Sequence, residues 1–342
     1  MTPVWEVIGR RRIAYIVSVL LIIPAILAVV TNSTQGRGAL NWGIDFTGGN
    51  YFQFRLPRPV EVADVRAVVD RFATGQSIIQ TAGQEVFVRT RPLGPERKAA
   101  LMAAVRQRFG GAEVLREDEV GPTIGQELRN TAIAGIVIGL ILQLIYISIR
   151  FRSVRYALTM DMALLHDLLI VVGFFAITRK EVDSGFVAVL LTVVGYSIND
   201  KIVLFDRIRE NLAQRTREAF DRLVNRSLLE SLVRSINTSV TVALAIAAVY
   251  FFGGVTIRDF ALGLTVGVLV SMYSSIFIAG GLLVDWSIRS ERRAGRVSAS
   301  GPEPARPGAP ALANDASVPA AVPAGARSGA GGGGRRRRSR RR

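Results

Sequence analysis

The sequence predicts a polytopic α-helical membrane protein with six transmembrane helices and one exported α+β domain. Of the 342 residues, 49% are hydrophobic and only 20% are charged. The apolar residues fall in long blocks rather than periodic stripes, and arginines gather at alternate block ends. A mean hydropathy of +0.32 is too high for an ordinary soluble protein. With no cysteine and one histidine, the chain cannot form a disulfide framework, cysteine-bound zinc or a multi-histidine metal site.

Six apolar blocks are long enough to cross a bilayer, which takes about 20 residues of helix. The first follows Arg10, Arg11 and Arg12 and could also be a cleaved signal peptide, but it is long for one and no A-x-A-like cleavage site follows. The predicted spans are residues 13–30, 131–149, 156–178, 185–205, 236–252 and 260–286.

Basic residues mark one side of these spans. Arginines dominate the N-terminus, the loop from 150 to 155, the segment 207–234 and the C-terminus, whereas the links at 179–183 and 253–259 have balanced charges. Short cytoplasmic loops carry the excess of lysine and arginine. The sequence therefore predicts two cytoplasmic termini, with residues 1–31 holding the first span and residues 130–288 holding the other five.

Residues 32–129 are predicted to form an exported domain between the first two spans. Alternating apolar residues predict strands at 51–56, 77–80, 85–90 and 112–115, and helical spacing predicts helices at 60–72 and 95–109. This order, β-α-β-β-α-β, is that of a ferredoxin-like domain. Its 13 basic and 11 acidic residues nearly balance, so the domain has no strong positive electrostatic potential and we expect no specific nucleic acid partner.

Residues 289–342 differ in composition from the rest of the chain. They contain 13 arginines and three acidic residues, and so supply +10 of the net charge of +16. Residues 298–334 are mostly Ala, Pro, Gly and Ser, which bury too little apolar surface to fold, and the chain closes on RRRRSRRR. We expect a disordered basic cytoplasmic tail that attracts anionic lipid, with RNA as the less favoured partner.

A glycine-rich motif, GIDFTGG, follows the first span at residues 43–49. It lacks the Gly-Lys-Ser/Thr ending of a phosphate-binding loop. We expect instead a rigid joint between span and exported domain, made by Gly43, Asp45, Phe46, Gly48 and Gly49. Since the sequence shows no nucleophile and base set, metal cluster or cofactor loop, we expect neither an enzyme nor a bound cofactor.

The fourth span is interrupted by GYSINDK at residues 195–201. Asp200 falls past the midplane, where a charge costs at least about 2.5 to 3.5 kcal/mol and needs a partner or a wet cavity. Asn199 belongs to the same polar patch, and Arg234, near the start of the fifth span, is the predicted partner. Such a pair can relay protons, and a static buried ion pair is the alternative.

Two further polar features have open interpretations. His166 and Asp167 lie near the middle of the third span, where hydrogen bonding between helices is the simpler interpretation and a proton relay is the alternative. The segment 207–234 interleaves seven arginines and four acidic residues with apolar ones. It predicts an amphipathic helix at the membrane surface, with a solvated loop as the alternative.

Five motifs together resemble one family. They are GIDFTGG (43–49), VGPTIGQEL (120–128), ALLHD (163–167), GYSINDKIVLFDRIREN (195–211) and YSSIFIAG (273–280). Over about residues 10–286 the chain resembles the SecF branch of the SecD/SecF protein-export membrane proteins, which are related to the RND transporters. It departs from the family at Lys201, where a small hydroxyl residue is usual, and at Ser271 and Met272, which replace a glycine-containing step.

The resemblance implies a protein of the bacterial cytoplasmic (inner) membrane that pairs with SecD beside the SecYEG channel, with YajC and SecA as further partners. It implies that the proton motive force, and no cofactor, drives a translocating preprotein through the channel. Asp200 and Arg234 would be proton-pathway residues, Asn199 would line the path, and His166 and Asp167 are additional candidates. A subunit of an RND-type exporter and a passive scaffold for the export channel are the alternatives.

Overall fold

The computed structural model describes residues 6–73, 77–214 and 218–293. Six helical spans are long and apolar enough to cross a membrane, which confirms the predicted number. They run over Ile8–Thr34, Pro122–Phe151, Val154–Thr178, Ser184–Ala213, Phe220–Phe252 and Val255–Ser290. Each contains the predicted block of apolar residues.

Helices and strands are numbered along the chain. The helices are α1 (Arg11–Thr34, preceded by a 3₁₀ turn, Ile8–Arg10), α2 (Ile44–Thr47), α3 (Val62–Val69), α4 (Pro95–Phe109), α5 (Pro122–Phe151), α6 (Val154–Thr178), α7 (Ser184–Ala213), α8 (Phe220–Phe252), α9 (Val255–Ser274) and α10 (Gly280–Arg293). The strands are β1 (Asn41–Trp42), β2 (Gly49–Arg55), β3 (Ile78–Ala82), β4 (Glu85–Thr90), β5 (Glu113–Val120) and β6 (Glu181–Val182).

The domain between the first two spans is one four-stranded antiparallel sheet with two helices. Its elements follow one another as β2, α3, β3, β4, α4 and β5, and the strands lie side by side in the order β3-β4-β2-β5. Alternate residues of the strands, such as Phe52, Phe54 and Val88, are buried with Val65 of α3 and Leu101 of α4. Period-two burial on the strands and helical-period burial on the helices thus build one core.

The membrane helices pack around α6. Most side chains of α6 are buried, whereas α5 leaves its apolar residues exposed, as contact with lipid requires. Gly173 of α6 lets α1 approach closely, since a Cβ at this position would lie 2.0 Å from the Cβ of Ala25. At the other end of α1, Asp285 of α10 accepts hydrogen bonds from Arg11 Nε at 2.8 Å and Tyr15 OH at 3.0 Å.

The last span changes its helical geometry midway. Between α9 and α10 the residues Ser275–Ala279 form a π-helical segment. π-Helical turns occur almost only as single-turn bulges within α-helices. Helix α10 continues to Arg293, past the predicted start of the basic tail at residue 289. The remainder of that predicted tail lies outside the described residues.

The predicted amphipathic helix at 207–234 is not a single helix in the structure. Residues from Arg207 onward continue α7, and α8 begins at Phe220 and runs without interruption into the fifth span. The apolar residues Leu223, Val224 and Leu228 pack against the protein core rather than a lipid surface. Polar bonds also join the two helices, including Asn211 Nδ2 to Ser227 Oγ at 2.9 Å.

Two short elements were not predicted. Strands β1 and β6 pair in parallel, Asn41 with Glu181 and Trp42 with Val182. They attach the segment after α1 to the link between α6 and α7. A further helical turn, α2, forms within the GIDFTGG motif.

Candidate functional site

Helix α7 has polar side chains on two different faces in its C-terminal half. Successive residues of an α-helix point about 100° apart. Asp200 and Lys201 are therefore neighbours in sequence that face different helices, Asp200 toward α8 and Lys201 toward α6 and α9. The two faces form separate hydrogen-bond systems.

The inner cluster consists of His166, Asp167, Ser197, Lys201 and Ser274. Lys201 and Asp167 are each 0% exposed, and the ammonium nitrogen lies 2.8 Å from Asp167 Oδ2. Lys201 also bonds Ser197, and it donates to Ser274 Oγ at 3.1 Å. The ammonium thus has three acceptors for its three protons, and the pair has no net charge.

Both carboxylate oxygens of Asp167 accept hydrogen bonds from the surrounding side chains. Oδ2 accepts from Ser197 Oγ at 2.7 Å and Ser274 Oγ at 2.8 Å in addition to Lys201. Oδ1 lies 3.0 Å from His166 Nδ1, so in the neutral ring Nδ1 carries the proton. His166 Nε2 then accepts from Ser18 Oγ of α1 at 2.9 Å. The inner cluster joins four helices through fully satisfied bonds.

Asp200 has a different environment. Its side chain is 9% exposed, and Oδ1 accepts a hydrogen bond from Ser235 Oγ of α8 at 2.6 Å. Oδ2 is buried and receives no hydrogen bond from any described residue. One turn earlier, Tyr196 donates to Ser239 Oγ at 2.8 Å. Asp200 is therefore the one acid of this half of α7 with a free buried oxygen.

The structure does not bring Arg234 and Asp200 together, so the predicted ion pair between them is wrong. The serines at 227, 231, 235 and 239 recur every four residues and form the buried face of α8. Arg234 lies one residue, and so about 100°, away from Ser235 and is exposed. Among the described residues, no acid lies within ion-pair distance of it.

The exposed side of α7 and α8 includes apolar residues, such as Val233 and Leu244, and a strip of polar ones. We call the polar residues the outer strip: Thr192, Asn199, Arg234, Asn237, Thr238 and Thr241. The threonine hydroxyls bond carbonyl groups of their own helices, but charged and amide side chains rarely face lipid, because nothing in hydrocarbon replaces their hydration. The outer strip is therefore suited to cover by another polypeptide rather than by lipid.

The GIDFTGG joint contacts both the four-stranded domain and α7. Asp45 Oδ2 accepts from the backbone nitrogen of Ser184, the first residue of α7, at 2.9 Å. Phe46 is buried in the membrane-side core. Gly48 and Gly49 have φ of 74° and 155°, and a Cβ at Gly49 would lie 2.2 Å from Thr90 O of β4. Only glycine fits there without strain.

Glu181 at this joint was missed by the sequence reasoning. Its side chain is 9% exposed and lies 3.5 Å from Arg89 Nη1 of β4. Burial raises the pKa of Glu181 to about 7, Arg89 opposes the shift, and Asp183, Asp45 and Asp259 add to it. The balanced charges of residues 179–183 concealed it, because charge counting does not show which acid is buried.

Comparison with known proteins agrees with this architecture. Residues 100–289 match the family described as protein export membrane protein SecD/SecF, C-terminal. Residues 39–56, which include the joint, match the SecD/SecF GG motif. The chain belongs to the SecD/SecF family. With its six spans, it is a multi-pass membrane protein of protein transport.

Relatives within the SecD/SecF family include a protein translocase subunit SecF from Thermobaculum terrenum, 41% identical over 82% of this chain and 93% of that protein. Another, from Endomicrobium trichonymphae, is 34% identical over 84% of this chain and 93% of its own. The crystal structure of SecDF, a translocon-associated membrane protein from Thermus thermophilus, matches with a TM-score of 0.75 at 36% identity. That match covers 84% of this chain and 39% of the SecDF chain.

Proposed function

We propose that this chain is the SecF-type subunit of a proton-driven protein translocase. It pairs with SecD beside the SecYEG channel in the bacterial cytoplasmic membrane, and both termini face the cytoplasm. In this function Asp200 takes up and releases the proton, and the exported domain acts on the preprotein. The single observation that carries the proposal is Asp200 itself, a carboxyl buried in a span with one oxygen bonded to Ser235 and the other without a hydrogen bond from the described residues.

A free oxygen in a buried carboxyl supports proton exchange. A carboxylate that is saturated with donors, like that of Asp167, gains nothing from binding a proton. Asp200 has one donor among the described residues, so its ionised form lacks compensation at membrane depth. A membrane potential of about 100 mV supplies about 2.3 kcal/mol per charge moved, enough to bias a two-state equilibrium roughly fiftyfold.

Helix α7 connects this carboxyl to the exported domain. Its first residue, Ser184, donates a hydrogen bond to Asp45 of the joint, and Asp200 lies on the same continuous helix. A shift of α7 relative to α8 when Asp200 is protonated would therefore be transmitted to the GIDFTGG joint. Gly48 and Gly49 place the backbone of the joint directly against α5 and β4.

The outer strip supports a partner subunit. The SecDF chain of the solved structure from Thermus thermophilus is matched over 39% of its length, so about three fifths of it has no counterpart here. A SecD chain would supply helices to cover Arg234 and its polar neighbours. Contact with a carboxyl group of that partner would give Arg234 the counter-ion that α7 does not provide.

The decisive experiment compares Asp200→Asn with wild type. Vesicles containing this chain, SecD, SecYEG and SecA would be loaded with a preprotein stalled midway, and translocation would be measured after ATP removal, with and without a proton gradient. We expect the gradient to accelerate wild type and not Asp200→Asn. Asp161→Asn is the matched control, because Asp161 bonds Gln143 of α5 and not α8. Full gradient-dependent translocation by Asp200→Asn would favour a passive scaffold instead.

The partner is testable separately because the natural chain has no cysteine. A single Thr238→Cys variant is expected to cross-link to cysteines introduced in SecD. Ile138→Cys, on the exposed apolar face of α5, is the matched control and should not. Equal labelling at both positions would count against the outer strip as the SecD contact.

A further inference from the structure

We propose that Asp167 cancels the charge of Lys201, so that proton exchange at Asp200 is governed by α8 and not by the lysine beside it. Asp167 is thus a positioning residue that acts through Lys201 on the electrostatic potential at Asp200. The inference rests on the proposed function, in which Asp200 carries the proton.

Lys201 is unusual in its burial. It is 0% exposed and is the one lysine or arginine among the buried residues of the described chain. A cation inside a span is costly unless it is paired and hydrogen-bonded. Asp167 Oδ2, at 2.8 Å, is the one carboxylate oxygen bonded to Lys201 in the described structure. The other two acceptors, Ser197 and Ser274, are uncharged.

Asp200 is the residue most exposed to an uncompensated lysine. It precedes Lys201 directly, on a face about 100° away. The other titratable groups around it are few. Tyr196 lies one turn away on α7, Arg234 is exposed on α8, and α6 and α9 contribute His166, Asp167 and Tyr273 on the inner side. Asp167 is the one acid among them, so it alone can neutralise Lys201.

The size of the expected effect follows from charge and separation. For two unit charges about 8 Å apart at an effective dielectric constant of about 20, Coulomb's law gives a change of about one to two pH units in a proton equilibrium, and Asp200 and Lys201 are adjacent in sequence. The sign depends on which partner is removed. Losing Asp167 leaves a positive charge, which favours ionised Asp200, and losing Lys201 leaves a negative charge, which favours protonated Asp200.

The test is the pH dependence of gradient-driven translocation in the vesicles described above. The pH would be varied equally on both sides, and a potassium diffusion potential would hold the driving force constant. We expect the pH midpoint to move down by about one unit or more in Asp167→Asn and up in Lys201→Met. The combined Asp167→Asn, Lys201→Met variant should return to the wild-type midpoint. Ser197→Ala removes a hydroxyl from the same carboxylate without changing charge and should leave the midpoint unchanged.

Opposite shifts in the two single variants are the result that a merely structural role would not give. Midpoints that stay fixed or move in the same direction would overturn the proposal. If the single variants do not accumulate in the membrane, the double variant alone decides, since a shifted midpoint in a folded double variant contradicts charge cancellation. Failure of the proposed function is distinct, because it would appear as undiminished gradient-driven translocation by Asp200→Asn.

Discussion

Replacement of Glu181 by glutamine should stabilise the protein at alkaline pH. Glu181 lies outside the spans, in β6, where burial raises its pKa from 4.5 to about 7. Oε1 is buried without a hydrogen bond from the described residues, and Oε2 lies 3.5 Å from Arg89. The ionised carboxylate is therefore poorly compensated in the folded protein, and glutamine keeps its shape without its charge.

The magnitude follows from the two pKa values. Between pH 4.5 and 7 the folded protein holds a proton on Glu181 that the unfolded chain releases, so stability falls as pH rises through this window. Below the window the full stability is present, and above it the loss reaches about 3 kcal/mol, at about 1.4 kcal/mol per pH unit. The attraction of Arg89 is already contained in the shifted pKa. Glutamine should remove this loss.

Thermal unfolding of the purified full chain in detergent would measure the effect. Trp42 pairs with Val182, next to Glu181, and its fluorescence reports on the same strands. Wild type and Glu181→Gln should melt together at pH 4, below the window, and the variant should melt several degrees higher at pH 8. Glu61→Gln, at an exposed position, is the control. A difference between wild type and Glu181→Gln that does not change with pH would refute the reasoning.

Two further predictions concern close backbone contacts. Gly49→Ala should detach the joint from β4 and cost several kcal/mol, because φ is 155° and the added Cβ would lie 2.2 Å from a backbone oxygen. Limited proteolysis of the domain between the first two spans would detect this, with Gly94→Ala as the control at an open position. Gly173→Ala should force α1 away from α6 and lower the melting temperature, whereas Gly135→Ala, with open space around it, should not.

The contradicting outcomes are specific to each contact. Proteolysis of Gly49→Ala at the rate of Gly94→Ala would mean that the joint yields without loss. Equal melting temperatures for Gly173→Ala and Gly135→Ala would mean that the α1 to α6 contact adjusts freely.

The spans, and the helices and strands of the domain between the first two spans, were accessible from sequence because their signals are local. A run of about 20 apolar residues or a period-two alternation needs no partner to be recognised. The pairing of side chains between helices was not accessible in the same way. Whether Arg234 or Ser235 faces α7 depends on a rotation of about 100°. The four-residue recurrence of serines on α8 was the signal that could have decided it.

Longer-range contacts were harder still. The bond between Asp167 and Lys201 joins residues 34 positions apart on different helices, and nothing in either motif specifies it. Strands β1 and β6 have two residues each, too few for any periodicity, and their partners lie about 140 residues away. Such elements are determined by the packing of spans around them rather than by their own residues.

The π-helical segment Ser275–Ala279 determines what the last span can contact. One residue inserted into an α-helix turns everything after it by about 100° about the helix axis. Before the segment, Ser274 bonds Asp167 deep among the helices; after it, Asp285 bonds Arg11 and Tyr15. The span thus consists of two α-helical halves that are rotated relative to each other about a common axis. Deleting a single residue there would restore a regular helix and yet swing Asp285 away from α1, so the irregularity is what allows one helix to meet two unrelated partners.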